Sequence, residues 1–190
     1  MKVKIGVSVR HVHICEKDFK YLFGEDATLT FKCDLSQKGD FSCEQTVTLK
    51  TDKNEINNVR ILGPFRDKTQ VEISKTDSYI LGINPPIRDS GDLDGSEKIT
   101  LCHKDKYLNL NEGCIIANRH IHMSERDSFK LGYYNNQKVK VKIKGEKSAI
   151  LENVSIKVKD NYSLELHIDT DDANATLVNN GDICEVIENE

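Results

Sequence analysis

Apolar and polar residues alternate with a period of two over most of this chain, starting at Lys2-Val3-Lys4-Ile5 and running to Val9. Alternation of that kind buries one face of a strand and wets the other. It returns over residues 27–31, 44–49, 56–62, 69–74, 99–101, 107–110, 137–144, 148–158, 163–168 and 183–187. Turn-forming residues separate the runs, among them Gln37-Lys38-Gly39-Asp40-Phe41, Asp52-Lys53-Asn54, Gly63-Pro64-Phe65-Arg66 and the polar loop from Pro85 to Gly95. Short strands with regular turn signals predict a mainly β protein, a barrel or a sandwich. Two segments break the period and predict short helices. Residues 15–24 close on Gly24, a helix stop. Residues 124–131 open on Ser124 with Asp127 three positions on, a capping-box arrangement. Cys15 stands where Ser124 does in the other helix and makes the weaker cap, because a thiol accepts hydrogen bonds poorly. Residues 169–174 read as a polar turn.

Composition narrows the class. A chain of 190 residues holds one large domain or two small ones, and 37% hydrophobic with 31% charged residues fits a polar globular protein. No apolar run approaches the ~20 residues of a membrane helix, and the chain enters a strand at once, so no leader is expected and the cytoplasm is the expected location. A net charge of −4 argues against nucleic-acid binding, and the lysines between 138 and 147 alternate as the wet face of a strand. The six cysteines form no Cys-x-x-Cys pair and read as reduced thiols.

The candidate chemistry lies in a motif written twice. Arg10-His11-Val12-His13-Ile14 returns 109 residues later as Arg119-His120-Ile121-His122-Met123, each time followed by a predicted helix. Duplication or structural pseudo-symmetry explains this; a chance match is the alternative. Two histidines at i, i+2 share one face of a strand, and neutral imidazole is a common zinc ligand. His167, on the alternating run Glu165-Leu166-His167-Ile168-Asp169, is a third candidate ligand. Glu72 stands among aliphatic neighbours and either reaches a partner or faces solvent. Arg66 is either a surface arginine or an oxyanion-binding fork. Two metal clusters together can bind an oxyanion and polarise a carbonyl, and Arg10, Lys53, Arg60 and Arg119 can attract a polyanion.

These residues sit in longer stretches that carry a resemblance. Val7 to His13, Val59 to Ser74, Ser90 to Ser96, Ala117 to Met123 and His167 to Ala175 closely resemble, in order and spacing, the PduL-type phosphate acyltransferases, the phosphotransacylases of bacterial microcompartments. The resemblance implies two β-barrels capped by short helices, with the first strand joining the C-terminal barrel. The implied domains are 1–9 plus 118–190, and 10–117. It implies exchange of acyl-CoA and phosphate for acyl phosphate and CoA, and two zinc ions, other divalent metals being acceptable to such ligands. One ion falls to His11, His13 and Glu72, the other to His120, His122 and His167. Arg66 matches the catalytic, phosphate-binding arginine. Ser8, Val9, Arg10, Lys53, Arg60, Arg119 and Asn174 fall at CoA contacts, although the turn at Lys53 departs from the family's Gly-Pro-Lys-Gly form. His103 stands in a turn and reads as a surface residue. A homodimer is expected, with no nucleic-acid or membrane partner, and a microcompartment link is implied without a visible encapsulation segment.

The implied reaction is direct attack of phosphate on the thioester, with no side-chain nucleophile. Competing readings of the same residues are a dinuclear metallohydrolase such as an acyl-CoA thioesterase, and a cupin-like metal-binding barrel without activity. The separation of Glu72 from His13 argues against the cupin pattern.

Overall fold

The computed structural model describes residues 1–187. Its strands are β1 (Lys2–Ser8), β2 (His11–His13), β3 (Phe31–Asp34), β4 (Phe41–Lys50), β5 (Glu55–Gly63), β6 (Gln70–Glu72), β7 (Ile87–Arg88), β8 (Glu97–His103), β9 (Lys106–Ala117), β10 (His120–Met123), β11 (Lys138–Ile143), β12 (Ala149–Val158), β13 (Glu165–Asp169) and β14 (Ile183–Ile187). Its helices are α1 (Glu16–Phe23), α2 (Lys75–Leu81), α3 (Glu125–Leu131) and α4 (Thr170–Thr176). The chain is mainly β, as its alternation predicts.

It divides into two compact units. The C-terminal unit comprises Met1–Val9, Ser36–Lys38 and Asn118–Glu190, of which 188–190 lie outside the described residues; the N-terminal unit comprises Arg10–Leu35 and Gly39–Ala117. In the C-terminal unit β1, β13, β10, β12, β11 and β14 close into a barrel. In the N-terminal unit β9, β6, β2, β5, β4 and β8 pair in turn, and β8 pairs back to β9, so a second six-stranded ring closes. Strands β3 and β7 are appended to it on β4 and β9.

The two rings have one plan. Strand β2 is parallel to β5 and antiparallel to β6, and β6 is parallel to β9. Strand β10 is parallel to β12 and antiparallel to β13, and β13 is parallel to β1. So β1 holds the place in one barrel that β9 holds in the other. Each His-x-His strand is preceded in sequence by a strand that pairs in the opposite barrel. Closing each sheet removes its exposed edges, and each interior is filled by its own cluster. Ile5, Ile121, Val141, Ile156 and Leu166 are among the residues of one cluster; Val12, Ile61, Val71, Leu101 and Cys114 are among those of the other.

Three local expectations change. Residues 27–30 are not a strand: the Gln45 side chain accepts from the Thr30 N–H and donates to the Thr28 carbonyl, in place of a ladder. Residues 36–38, expected as a turn within the N-terminal domain, belong to the C-terminal unit. There Gln37 exchanges two hydrogen bonds with the backbone of Ser163. Helix α2 follows the strand expected at 69–74, in a stretch with no expected element, and helix α4 takes the place of the turn expected at 169–174. Ser74 and Asp77 form a capping box at the start of α2. Asp169 accepts from the Asp172 N–H at the start of α4. These caps satisfy backbone donors that a short helix leaves open.

Candidate active site

On β2, Val12 points into the barrel core and His11 and His13 share the opposite face. Antiparallel β6 sets Glu72 opposite His11 and Gln70 opposite His13. The His11 and His13 Nε2 atoms are 3.2 Å apart, and Glu72 oxygens lie 3.4 Å from His11 Nε2 and 3.9 Å from His13 Nε2. Ligand atoms on a tetrahedron with ~2.0–2.1 Å bonds are about 3.3–3.4 Å apart, so this set fits one small divalent ion. All three residues are buried. Burial, with the charges of His11 and Arg66 working the same way against Glu72, lowers the His13 pKa to about 3. A neutral imidazole is the form that binds metal.

Gln70 ties this set to an arginine. Its amide donates to Glu72 Oε1 at 2.5 Å and to Ser90 Oγ at 2.9 Å, and accepts from the Gly91 N–H at 2.7 Å. Ser90 Oγ in turn accepts from Arg66 Nη1 at 3.2 Å. Arg66 is exposed, and its backbone N–H donates to the Ile14 carbonyl just past the histidine pair. A solvent-facing guanidinium is thus anchored within one hydrogen-bonded chain of the three-ligand set. Gln70 and Ser90 went unassigned in the sequence reading, because a glutamine and a serine in a polar loop carry no spacing signal of their own.

The second set repeats this address. Ile121 and Met123 enter the core of the C-terminal barrel, and His120 and His122 face the other way. Strand β13 sets His167 opposite His120 and Glu165 opposite His122. His120, His122 and His167 group closely enough to hold one ion. Around them, His120 Nδ1 is 2.8 Å from the Asn118 carbonyl, and Tyr162 stacks on His122 at 4.0 Å. Glu165 is buried, with Oε2 2.8 Å from His167 Nε2 and 3.2 Å from Gln37 Nε2, and it accepts the Ser36 hydroxyl. Burial opposes its ionisation; hydrogen bonds from His167, Ser36 and Gln37 outweigh that and lower its pKa.

A further pair marks both sites. Arg10 is held by Asp77 at 2.7 Å and Arg119 by Asp172 at 2.6 Å, each aspartate five residues past Glu72 or His167 and in the first turn of the following helix. The signal was present in the sequence: Glu72-Ile73-Ser74-Lys75-Thr76-Asp77 and His167-Ile168-Asp169-Thr170-Asp171-Asp172 match in pattern. The other expected CoA contacts are dispersed within each unit. Ser8 is in register with Asp169 beside Arg119, and Asn174 is exposed on α4. Arg60 is in register with His11, but its Nη1 donates to the Cys43 and Glu44 carbonyls. Lys53 lies over Gly82 at the C-terminal end of α2, on a cleft of about 560 Å³. Arg10 is held at Asp77, five residues before Gly82, an offset of about 7.5 Å along the helix axis at 1.5 Å per residue. His103 packs against Phe23 with ring centroids 4.2 Å apart, in neither ligand set.

The whole chain matches known proteins. The family model described as phosphate propanoyltransferase matches residues 4–179. A phosphate propanoyltransferase of Thermotoga maritima is 44% identical over 97% of this chain and 88% of its own length. Those of Shewanella putrefaciens and Priestia megaterium are 47% and 48% identical, over 94% and 95% of this chain and 85% and 83% of theirs. Over two barrels that each carry a histidine-rich ligand set, the chain therefore belongs to the phosphate propanoyltransferase family, a family of acyltransferases.

Proposed function

We propose that this chain exchanges a short-chain acyl-CoA and inorganic phosphate for acyl phosphate and CoA, and that each ligand set holds one zinc ion. The observation that carries the reading is Arg66, anchored through Ser90 and Gln70 to the Glu72 of a buried two-histidine set. Its planar fork suits two oxygens of phosphate. Bound zinc supplies Lewis acidity, offsetting negative charge that develops on oxygen and sulfur. Arg66 orients the phosphate, whose oxygen bonds to the thioester carbon as the carbon–sulfur bond breaks, and the proton lost from phosphate passes to CoA. Holding both reactants together supplies much of the rate. Three of the cysteines are poor candidates for an acyl-cysteine route: burial pushes the thiols of Cys43 and Cys184 up to about 11 and that of Cys114 up to about 12. Ser8, Val9, Arg10, Lys53, Arg60, Arg119 and Asn174 are the proposed CoA contacts. The homodimer and the microcompartment link belong to the same proposal.

The test is thiol release from acetyl-CoA and propanoyl-CoA with and without phosphate, with acyl phosphate trapped by hydroxylamine. Release should require phosphate and yield the trapped product. Phosphate-independent release would make the protein a thioesterase. Arg66→Ala should raise the KM for phosphate tenfold or more at unchanged zinc content; an unchanged KM removes Arg66 from its role.

A further inference from the structure

Helix α1 starts without a side-chain cap of its own, and a residue from a distant loop fills the gap. In the capping box of α2 the Asp77 carboxylate accepts directly from the Ser74 N–H at 3.2 Å. The corresponding groups in α1 are the Cys15 N–H and the Asp18 carboxylate, and a third group stands between them. The Cys15 N–H donates to Thr69 Oγ1 at 3.1 Å, and the Thr69 hydroxyl donates to Asp18 Oδ2 at 2.6 Å. The second distance is that of a charge-assisted O–H···O⁻ bond. A hydroxyl has one proton, and the contact from Thr69 Oγ1 to Cys15 Sγ, at 3.5 Å, is too long to draw it away.

The loop that carries Thr69 also carries Arg66. The Ile14 carbonyl accepts from the Arg66 N–H at 3.0 Å, and the N–H of that same peptide group is the one Thr69 receives. The peptide between Ile14 and Cys15, just past His13, is thus held by both ends of the segment 66–69. Arg66, Asp67 and Lys68 are exposed, whereas Thr69 is 6% exposed. On the other side of Arg66, Phe65 packs against Phe19 of α1 with ring centroids 5.3 Å apart.

We propose that Thr69 is a positioning residue for Arg66: its hydroxyl, shared between the Cys15 N–H and Asp18, fixes the backbone from which the guanidinium reaches phosphate. The inference rests on the reading of Arg66 as the phosphate-binding residue. Ser90 holds the tip of that side chain at 3.2 Å, but a fixed tip does not fix the base. The base is set by the loop, and the loop is tied to the start of α1. Valine at position 69 keeps the shape and removes both hydrogen bonds.

The experiment is steady-state kinetics on the purified full chain of measured zinc content, varying phosphate and propanoyl-CoA in turn. Thr69→Val should raise the KM for phosphate about tenfold and move the KM for propanoyl-CoA less than about twofold, because misplacing a binding group costs most at the group it orients. Zinc content should be unchanged, and Thr69→Ser should keep the wild-type value. Asp18→Ala removes the same bond from its half-buried partner, should raise the same KM, and carries the test should Thr69→Val not fold. An unchanged KM for phosphate in either folded variant overturns the proposal. So do equal losses for both substrates, or a Thr69→Ser that behaves as Thr69→Val. If Arg66→Ala leaves the KM for phosphate unchanged, this inference and the phosphate role of Arg66 fall together. If Arg66→Ala raises it and Thr69→Val does not, this inference alone falls.

Discussion

The two ligand sets differ in one respect that shapes the rest: where the carboxylate stands. In the N-terminal barrel it is Glu72, opposite His11, with neutral Gln70 opposite His13. In the C-terminal barrel the place opposite His120 is taken by His167, and the carboxylate is two residues earlier, at Glu165 opposite His122. Each set keeps two histidines from the doubled motif; the first adds the Glu72 carboxylate, and the second adds His167 with Glu165 beside it. The wiring differs. Gln70 leads from Glu72 to Ser90 and Arg66, the proposed phosphate-binding arginine. Glu165 leads from His167 to Ser36 and Gln37. The two rings keep the paired histidines on matching strands while changing what each set is connected to.

The capping helices test how far the equivalence extends. Helices α1 and α3 begin alike, but the phenylalanine comes one position later in α3, which rotates it about 100° around the helix. Phe19 is fully buried and Phe129 is 93% exposed. Phe19→Ala should therefore cost about 3–5 kcal/mol in urea unfolding, and Phe129→Ala less than about 0.5 kcal/mol. Comparable costs would mean that α3 is covered in solution as α1 is.

A second difference is readable by pH in metal-free protein. The His13 pKa falls from 6.5 to about 3 on folding, chiefly through burial. Between those values the unfolded chain binds the extra proton, so stability rises with pH and is lost as pH falls below about 6.5. His13→Gln should flatten that slope in unfolding measured from pH 7 to 4; an unchanged slope would show that His13 is not held neutral. The smallest effect concerns the caps. Cys15 caps α1 with no side-chain hydrogen bond, whereas Ser124 accepts from the Asp127 N–H. Cys15→Ser should stabilise the protein by a few tenths to about 1 kcal/mol. No gain would indicate that the Thr69 hydroxyl, which already accepts from the Cys15 N–H, supplies all that end needs.

Much of the fold was legible because its strands alternate cleanly. Val139, Val141 and Ile143 are buried and the intervening lysines are not. The histidine pairs stood out because two rings at i, i+2 have one geometric meaning on a strand. Gln70, Glu165 and Gln37 did not, since their roles depend on register between distant strands, which no local pattern encodes. Helices α2 and α4 were missed for another reason. At seven residues each they are too short for periodicity to outweigh the alternation before them, and only their caps announce them. The same capping logic that placed α3 at Ser124 would have placed α2 at Ser74.

The most direct measurement is the zinc content of the purified full chain, compared with His13→Ala and His122→Ala. Two ions per chain in the wild type and one in each variant are expected, since each substitution removes a ligand from one set only. A wild type with fewer than two ions, or a variant that loses both, would contradict two separately built metal sites.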